Sequence, residues 1–476
     1  MRLLLKLAAA TSFLAPLGSS GYALAQPATA GVQVPQHERI VLDNGVTLVI
    51  MPLRDVPLVA FNAVVRSGSL ADPPDKPGVA SLLAGLLEKG AGERDAFAFA
   101  DTVEGAGGSF SASAGSESIT ITGQFLARDQ ALMLELLADA LLRPRLDPNE
   151  FEKLRTRQIE LIKAAKDSDP ADIIGIYGRA FLFRDHPYGR PVPGSEDSLA
   201  GITHADVLSY YRQHFGADRL ILVFAGDVDS EWLKRAVSRQ FGRWPRAKVP
   251  LQPLTEPAPA RGRRVLLVDS PESVQTYFWI GNVGVNRRFP QRAALDLVNT
   301  LYGGRFTSIL NTELRVKSGL SYGARSSFTR GTVAGEFAIR SFAQTQNTGQ
   351  AIDLALETLA RLHSDGIDAE MLESARAYVL GQYPLSLETA ADWAATMGEL
   401  ELFGLGPDYI EGYGPALARV TPEDARAVIR TAFPTPDDVT IVLIGKAKAI
   451  REVASRYGPV TQVPLSASWT AANVKE

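Results

Sequence analysis

Cysteine is absent from all 476 residues. This excludes disulfides, thiolate metal ligands, iron–sulfur clusters and a thiol nucleophile, so the fold must be held by burial alone. About 450 residues are ample for that. Histidine is nearly as scarce, with five copies at positions 37, 186, 204, 214 and 363. No two of them have the close spacing of a helical metal site; His204 and His214, on one short amphipathic segment, lie too far apart. Charge of one sign is missing too. With 49 Lys and Arg against 53 Asp and Glu, the net charge of −4 argues against a nucleic-acid partner. Beyond the start of the chain, no stretch approaches the ~20 apolar residues that a spanning helix needs.

The start itself has the pattern of an export leader. Arg2 and Lys6 precede an apolar run from Leu7 to Leu17, and Ala23-Leu24-Ala25 before Gln26 offers a small-x-small cleavage site. Thr11 and Ser12 interrupt the run, which is short for a membrane anchor. Residues 1–25 are therefore expected to be removed, leaving an exported chain. With no membrane span and no cysteine for a lipid anchor, the expected compartment is the periplasm.

Self-comparison reveals a duplication. The stretch "LAGITHADVLSYYRQHFGADRLILVFAGD" (199–227) aligns with "LARVTPEDARAVIRTAFPTPDDVTIVLIGK" (417–446), matching Thr203 to Thr421 and Phe215 to Phe433. Thr-x-x-Asp opens a helix in each, followed by an amphipathic run, a turn, an apolar strand and a glycine. The offset of 218 residues is too long for a solenoid and marks a duplicated domain. Residues 245–264 carry five prolines and few apolar side chains, as an extended linker does. Residues 26–244 and 265–476 are thus expected to be two domains of one fold. Strand-like runs lead each half (46–50 and 59–66; 265–268 and 276–280), and helices follow at 78–89, 129–142, 290–302 and 347–364. The predicted fold class is α+β, each domain an antiparallel sheet with helices packed on one face.

Three segments are chemically quiet. The glycine-rich run at 104–118 has no lysine and no strand leading into a Walker pattern, which argues against a phosphate loop. "EFEKLRTRQIELIKAAKDSD" reads as a charged helix with a solvated face. The helix in "GVASLLAGLLEKGAG" (78–92) puts its leucines on a core face, yet Ser81, Ala84 and Gly85 on another stripe carry almost no reactive group.

The run from "VLDNGVTLVI" through "VPLVAFNAVVRSGSLADPPDKPGVASLLAGLLEKGAG" to "VEGAGGSFSASAGSESITI", with "DHPYG" at 185–189 and the duplication, resembles the pitrilysin or insulinase-like zinc metallopeptidases, the inverzincins, and their mitochondrial-processing-peptidase relatives. Active members carry H-x-x-E-H on the helix after the glycine. There two imidazoles bind one zinc and the carboxylate between them serves as base. Aligned on Lys76-Pro77-Gly78, those positions are Ser81, Ala84 and Gly85. The family's third ligand, a glutamate, falls at about Ile162, with Glu160 close by. The resemblance therefore implies an erased zinc site and no metal in this chain.

In the second half, "GGRFTSILNTELRVKSGLSYGARSSF" (303–328) resembles the family segment whose arginine and tyrosine reach the substrate, here Arg315 and Tyr322. A guanidinium and a phenol are suitable donors to the negative carbonyl oxygen of peptide hydrolysis, and arginine stays protonated at any physiological pH. A chain with this pair and without the metal half implies a heterodimer. A zinc-bearing sister subunit would supply H-x-x-E-H, and this chain would close over it as half of a clamshell that degrades or processes peptides. The alternatives are an inert structural or assembly subunit and a homodimer that encloses peptides without cutting them.

Overall fold

The computed structural model describes residues 31–168 and 170–469; the leader expected at 1–25 lies outside the described residues. Among the described residues, two sheets of six strands organise the chain. The first contains β1 (Glu38–Val41), β2 (Thr47–Pro52), β3 (Leu58–Arg66), β4 (Ser109–Ala114), β5 (Ser118–Leu126) and β6 (Leu220–Gly226). The second contains β7 (Arg264–Asp269), β8 (Gln275–Gly284), β9 (Ala324–Phe328), β10 (Gly335–Gln344), β11 (Thr440–Gly445) and β12 (Val460–Pro464). Residues 244–263, between the sheets, form neither helix nor strand.

The strand orders are β1-β2-β6-β3-β5-β4 and β12-β7-β11-β8-β10-β9. Leaving out the outermost β1 and β12, the two orders are the same, strand for strand. The sixth place is filled differently: β1 runs antiparallel to β2, whereas β12 from the other end of the chain runs parallel to β7.

The sheets are mixed, where sequence patterning predicts antiparallel ones. β6 is parallel to β2, and β11 to β7. The cause is geometric. β2 and β3 are joined by a short link and run in opposite directions, and β6 inserts between them, so it must be parallel to one neighbour. β11 does the same between β7 and β8.

Helices also cover both faces rather than one. Every residue of β6 and of β11 is buried, as in strands covered on both sides. The second cover comes from the opposite half. The Ala390–Phe403 helix lies on β3 and β6, packing Trp393, Ala394, Met397 and Leu400 with Val49, Met51, Val64, Ile221 and Val223. Reciprocally, the Pro170–Phe183 helix lies on β8 and β11, and its Tyr177, Ala180 and Phe181 share a core with Trp279, Ala338, Val442 and Ile444. Each guest helix ends on a strand arginine of its host half. Arg66 Nη2 donates to Glu401 O at 2.7 Å, and Arg264 Nη2 donates to Phe181 O and Leu182 O at 3.0 and 2.9 Å. A cation satisfying the last carbonyls also complements the helix dipole.

Candidate functional site

The helix that aligns with the zinc motif spans Val79–Leu87 and begins from Gly78, whose φ of +109° is a conformation that side chains disfavour. Buried Asp72 accepts the N–H groups of Gly78 and Ala80, each at 2.8 Å, which satisfies donors at the helix start. Burial pushes the Asp72 carboxyl up to about 7, against the downward pull of those two N–H groups and the Arg190 charge. Arg190 Nη1 donates to the carbonyls of Leu70 and Asp72, so the loop before the helix is fixed as well.

The motif face of this helix meets the Pro148–Ser168 helix. Gln158 Nε2 donates to Ser81 Oγ at 3.1 Å and to Pro193 O at 2.6 Å. Ala84 is buried. At Gly85 a β-carbon would stand 3.4 Å from Leu154 Cδ1, so leucine fills the space that an imidazole there would need. Ile162 points into the core, while Glu160 is 62% exposed at its side chain and pairs with Lys163 at 2.9 Å. One serine hydroxyl already bonded to an amide, an alanine and a glycine do not fit zinc. Four of the five histidines turn to backbone carbonyls: His37 to Pro35, His186 to Thr255, His204 to Leu146 and His363 to Pro434. His214 packs against the Tyr210 ring at 4.7 Å between centroids. Among the described residues no three His, Asp or Glu side chains gather to hold a metal ion.

Beside this helix runs the outermost strand β4, whose serines 109, 111 and 113 are exposed. Glu88, at the helix end, accepts the Ala112 N–H at 2.5 Å and the Ser111 hydroxyl at 3.3 Å. An edge strand offers its N–H groups to another chain; here one is already taken by a side chain. Leu154, Gln158 and Glu88 escape a reading of the sequence, because each acts across a tertiary contact.

In the second half, the chain brings Arg315 and Tyr322 together. Arg315 sits on the Thr312–Lys317 turn, and Tyr322 in the turn before β9. The guanidinium carbon lies 4.3 Å from the Tyr322 ring centroid and 4.8 Å from that of Phe306. Tyr322 is 75% exposed and Phe306 is 63% exposed. Two ring faces therefore hold the cation without consuming an N–H donor. Among the described residues Arg315 forms no ion pair. The nearby Glu313 is engaged by Lys317 at 2.8 Å and Arg361 at 3.5 Å. The arrangement can give several hydrogen bonds to an anionic oxygen or a carbonyl.

Duplicated mixed sheets, a helix with its motif face filled, and a half-buried arginine against an exposed tyrosine define a metallopeptidase fold without its metal residues. Profile comparison agrees: the family described as insulinase (peptidase family M16) matches residues 54–195, and that described as peptidase M16 inactive domain matches residues 201–379. Together they span about two thirds of the chain, which belongs to the M16 peptidase family. An uncharacterized zinc protease of Mycobacterium leprae is 28% identical over 365 residues, 76% of this chain and 82% of that protein. A Helicobacter pylori protein named a non-peptidase homolog is 23% identical over 398 residues, 83% of this chain and 90% of its own length. Among solved structures, the peptidase M16 inactive domain from Pseudomonas fluorescens superposes with a TM-score of 0.79 at 23% identity, covering 86% of this chain and 98% of that one. The periplasmic protease PqqL of Escherichia coli superposes with a TM-score of 0.72 at 16% identity, covering 90% of this chain and 49% of that one. These structural likenesses are of fold. No helix among the described residues is long and apolar enough to cross a membrane.

Proposed function

We propose that this chain is the subunit without zinc of a two-subunit M16 peptidase, and that it lends Arg315 and Tyr322 to a composite active site. The observation that carries the reading is the pair itself, a half-buried guanidinium against an exposed tyrosine ring, with no ion pair to Arg315 among the described residues. Such a pair suits the scissile carbonyl oxygen, whose charge grows in the transition state. The metal and the activation of water belong to a zinc-bearing sister subunit, because Leu154 and Gln158 occupy the motif face here. Peptides are the proposed substrates. The edge of β4 is where an extended segment could pair, once Glu88 yields the Ala112 N–H. The names of the relatives support both sides of the reading, a zinc protease in one case and a non-peptidase homolog in the other. The leader pattern, together with the periplasmic setting named for the Escherichia coli neighbour, supports export to the periplasm.

Isolation of the tagged chain from its native host tests the proposal. The expected result is an equimolar partner of similar size carrying H-x-x-E-H, about one zinc per pair, and peptide hydrolysis by the pair. The chain produced alone should hold no stoichiometric zinc and cleave nothing. Recovery of a self-associated chain that binds peptides without a partner would favour the enclosing homodimer. An equimolar complex with no hydrolysis would favour an inert assembly subunit, the reading closest to the non-peptidase name of the Helicobacter relative.

A further inference from the structure

An arginine on a surface turn ordinarily samples many rotamers, and ordering it for catalysis costs side-chain entropy. Arg315 is ordered by what surrounds it. Phe306 and Tyr322 each present a ring to the guanidinium. A phenyl ring left 63% exposed is costly for a residue with no task, and this ring lies 4.8 Å from the guanidinium carbon, beside the 4.3 Å of Tyr322.

The backbone around the trio is tied by one side chain. Asn311 is 4% exposed, and its Nδ2 donates to Phe306 O at 2.7 Å. Its Oδ1 accepts the Ala324 N–H at 3.1 Å. Asn311 also precedes Arg315 by one helical turn. A single amide thus links the loop bearing Phe306, the turn bearing Arg315 and the strand entry just after Tyr322. Both bonds are satisfied in a buried place, where a missing partner would cost most. Tyr322 is held from the other side by β10. Ser341 Oγ lies 2.9 Å from both Ser321 Oγ and Gly323 O, which bracket the tyrosine.

We infer that Phe306 and Asn311 are positioning residues that preassemble the Arg315–Tyr322 pair, Phe306 by stacking on the guanidinium and Asn311 by fixing the three segments relative to one another. The inference rests on the proposed role of the pair in hydrolysis. Its geometric content concerns this chain alone.

Two measurements test it. In the isolated chain, the Arg315 Nε–Hε NMR signal, assigned by its loss in Arg315→Lys, should carry a ring-current displacement. Phe306→Leu and Asn311→Ala should collapse that displacement, and Phe306→Trp should retain it. In the complex isolated with its native partner, assayed with a quenched fluorescent peptide, Phe306→Leu should lower kcat about three- to tenfold with KM and melting temperature unchanged. Phe306→Trp should restore kcat. Asn311→Ala should cost about ten- to a hundredfold in kcat, the scale of a small misplacement of catalytic groups. Asn311→Asp, which keeps the acceptor for Ala324 and loses the donor to Phe306, should fall between. An unchanged Arg315 signal in both Phe306→Leu and Asn311→Ala overturns the inference, whatever the activity. If Arg315→Ala abolishes hydrolysis while Phe306→Leu and Asn311→Ala leave kcat intact, the positioning role fails and the proposed function stands. If Arg315→Ala is itself fully active, the proposed function fails first, and the positioning role in hydrolysis falls with it.

Discussion

Arg315 and Tyr322 are proposed to act on a charge that exists only in the transition state, so their loss should appear in kcat rather than KM. Arg315→Ala or Tyr322→Phe should each lower kcat of the reconstituted complex by about 10²–10³-fold, the usual effect of removing one such donor. Assembly and zinc content should not change. Wild-type kcat in both variants, with assembly intact, would make this subunit an enclosure only. Asp72 makes a separate prediction about stability. Its native carboxyl is pushed up to about 7, so the folded chain holds a proton that the unfolded chain releases near pH 4. The stabilisation is complete below about pH 4 and is lost as pH rises through about 7. The interval between those two values corresponds to roughly 4 kcal/mol. Urea unfolding at pH 4.5 and pH 8 should show wild type losing stability relative to Asp72→Asn by that order. Parallel pH profiles for the two proteins would show that Asp72 ionises as freely in the fold as outside it.

At the scale of elements, the duplication repeats its helix starts in detail. Thr203 and Asp206 form a capping box before the His204–His214 helix, and Thr421 and Asp424 form the same box before Pro422–Ala432. Each helix then closes on its phenylalanine, Phe215 or Phe433. Thr203→Ala and Thr421→Ala should each destabilise the chain by about 1 kcal/mol in urea titration, the typical value of such a cap. A large loss from one and none from the other would mean that tertiary contacts, not the caps, hold these helix starts. These boxes are legible in the sequence because threonine and aspartate act on N–H groups within three residues. The strand runs at 46–50, 59–66, 265–268 and 276–280 are legible for the same reason and, Val46 apart, fall within β2, β3, β7 and β8. Strand direction is not local. The parallel placement of β6 and β11 follows from where a distant strand inserts, and the alternation of residues within it carries no sign of that.

For the whole molecule, the exchanged helices make the two halves interdependent. Without the Ala390–Phe403 helix, the first sheet would expose Val49, Met51, Val64, Ile221 and Val223; without Pro170–Phe183, the second would expose Trp279, Val442 and Ile444. Trp469 adds a further tie. It is fully buried against Tyr177, lies under the Lys166 ammonium, and donates its indole N–H to Gly194 O at 2.8 Å. The full chain should therefore unfold in one calorimetric transition. Residues 26–244 and 265–476 produced separately should aggregate, and mixing them should rescue solubility. Two resolved transitions, or two soluble folded halves, would count against the exchange as a source of stability. The sequence by itself determined the duplication, the helix starts, the erased motif at Ser81, Ala84 and Gly85, and the candidacy of Arg315 and Tyr322. Residue identity and short-range spacing carry all of these. Only the tertiary structure decided that Leu154 and Gln158 fill the motif face, that Glu160 faces solvent, that Phe306 stacks on Arg315, and that each half borrows a helix from the other. These depend on which distant surfaces meet, and one sequence records apolar faces without recording their partners.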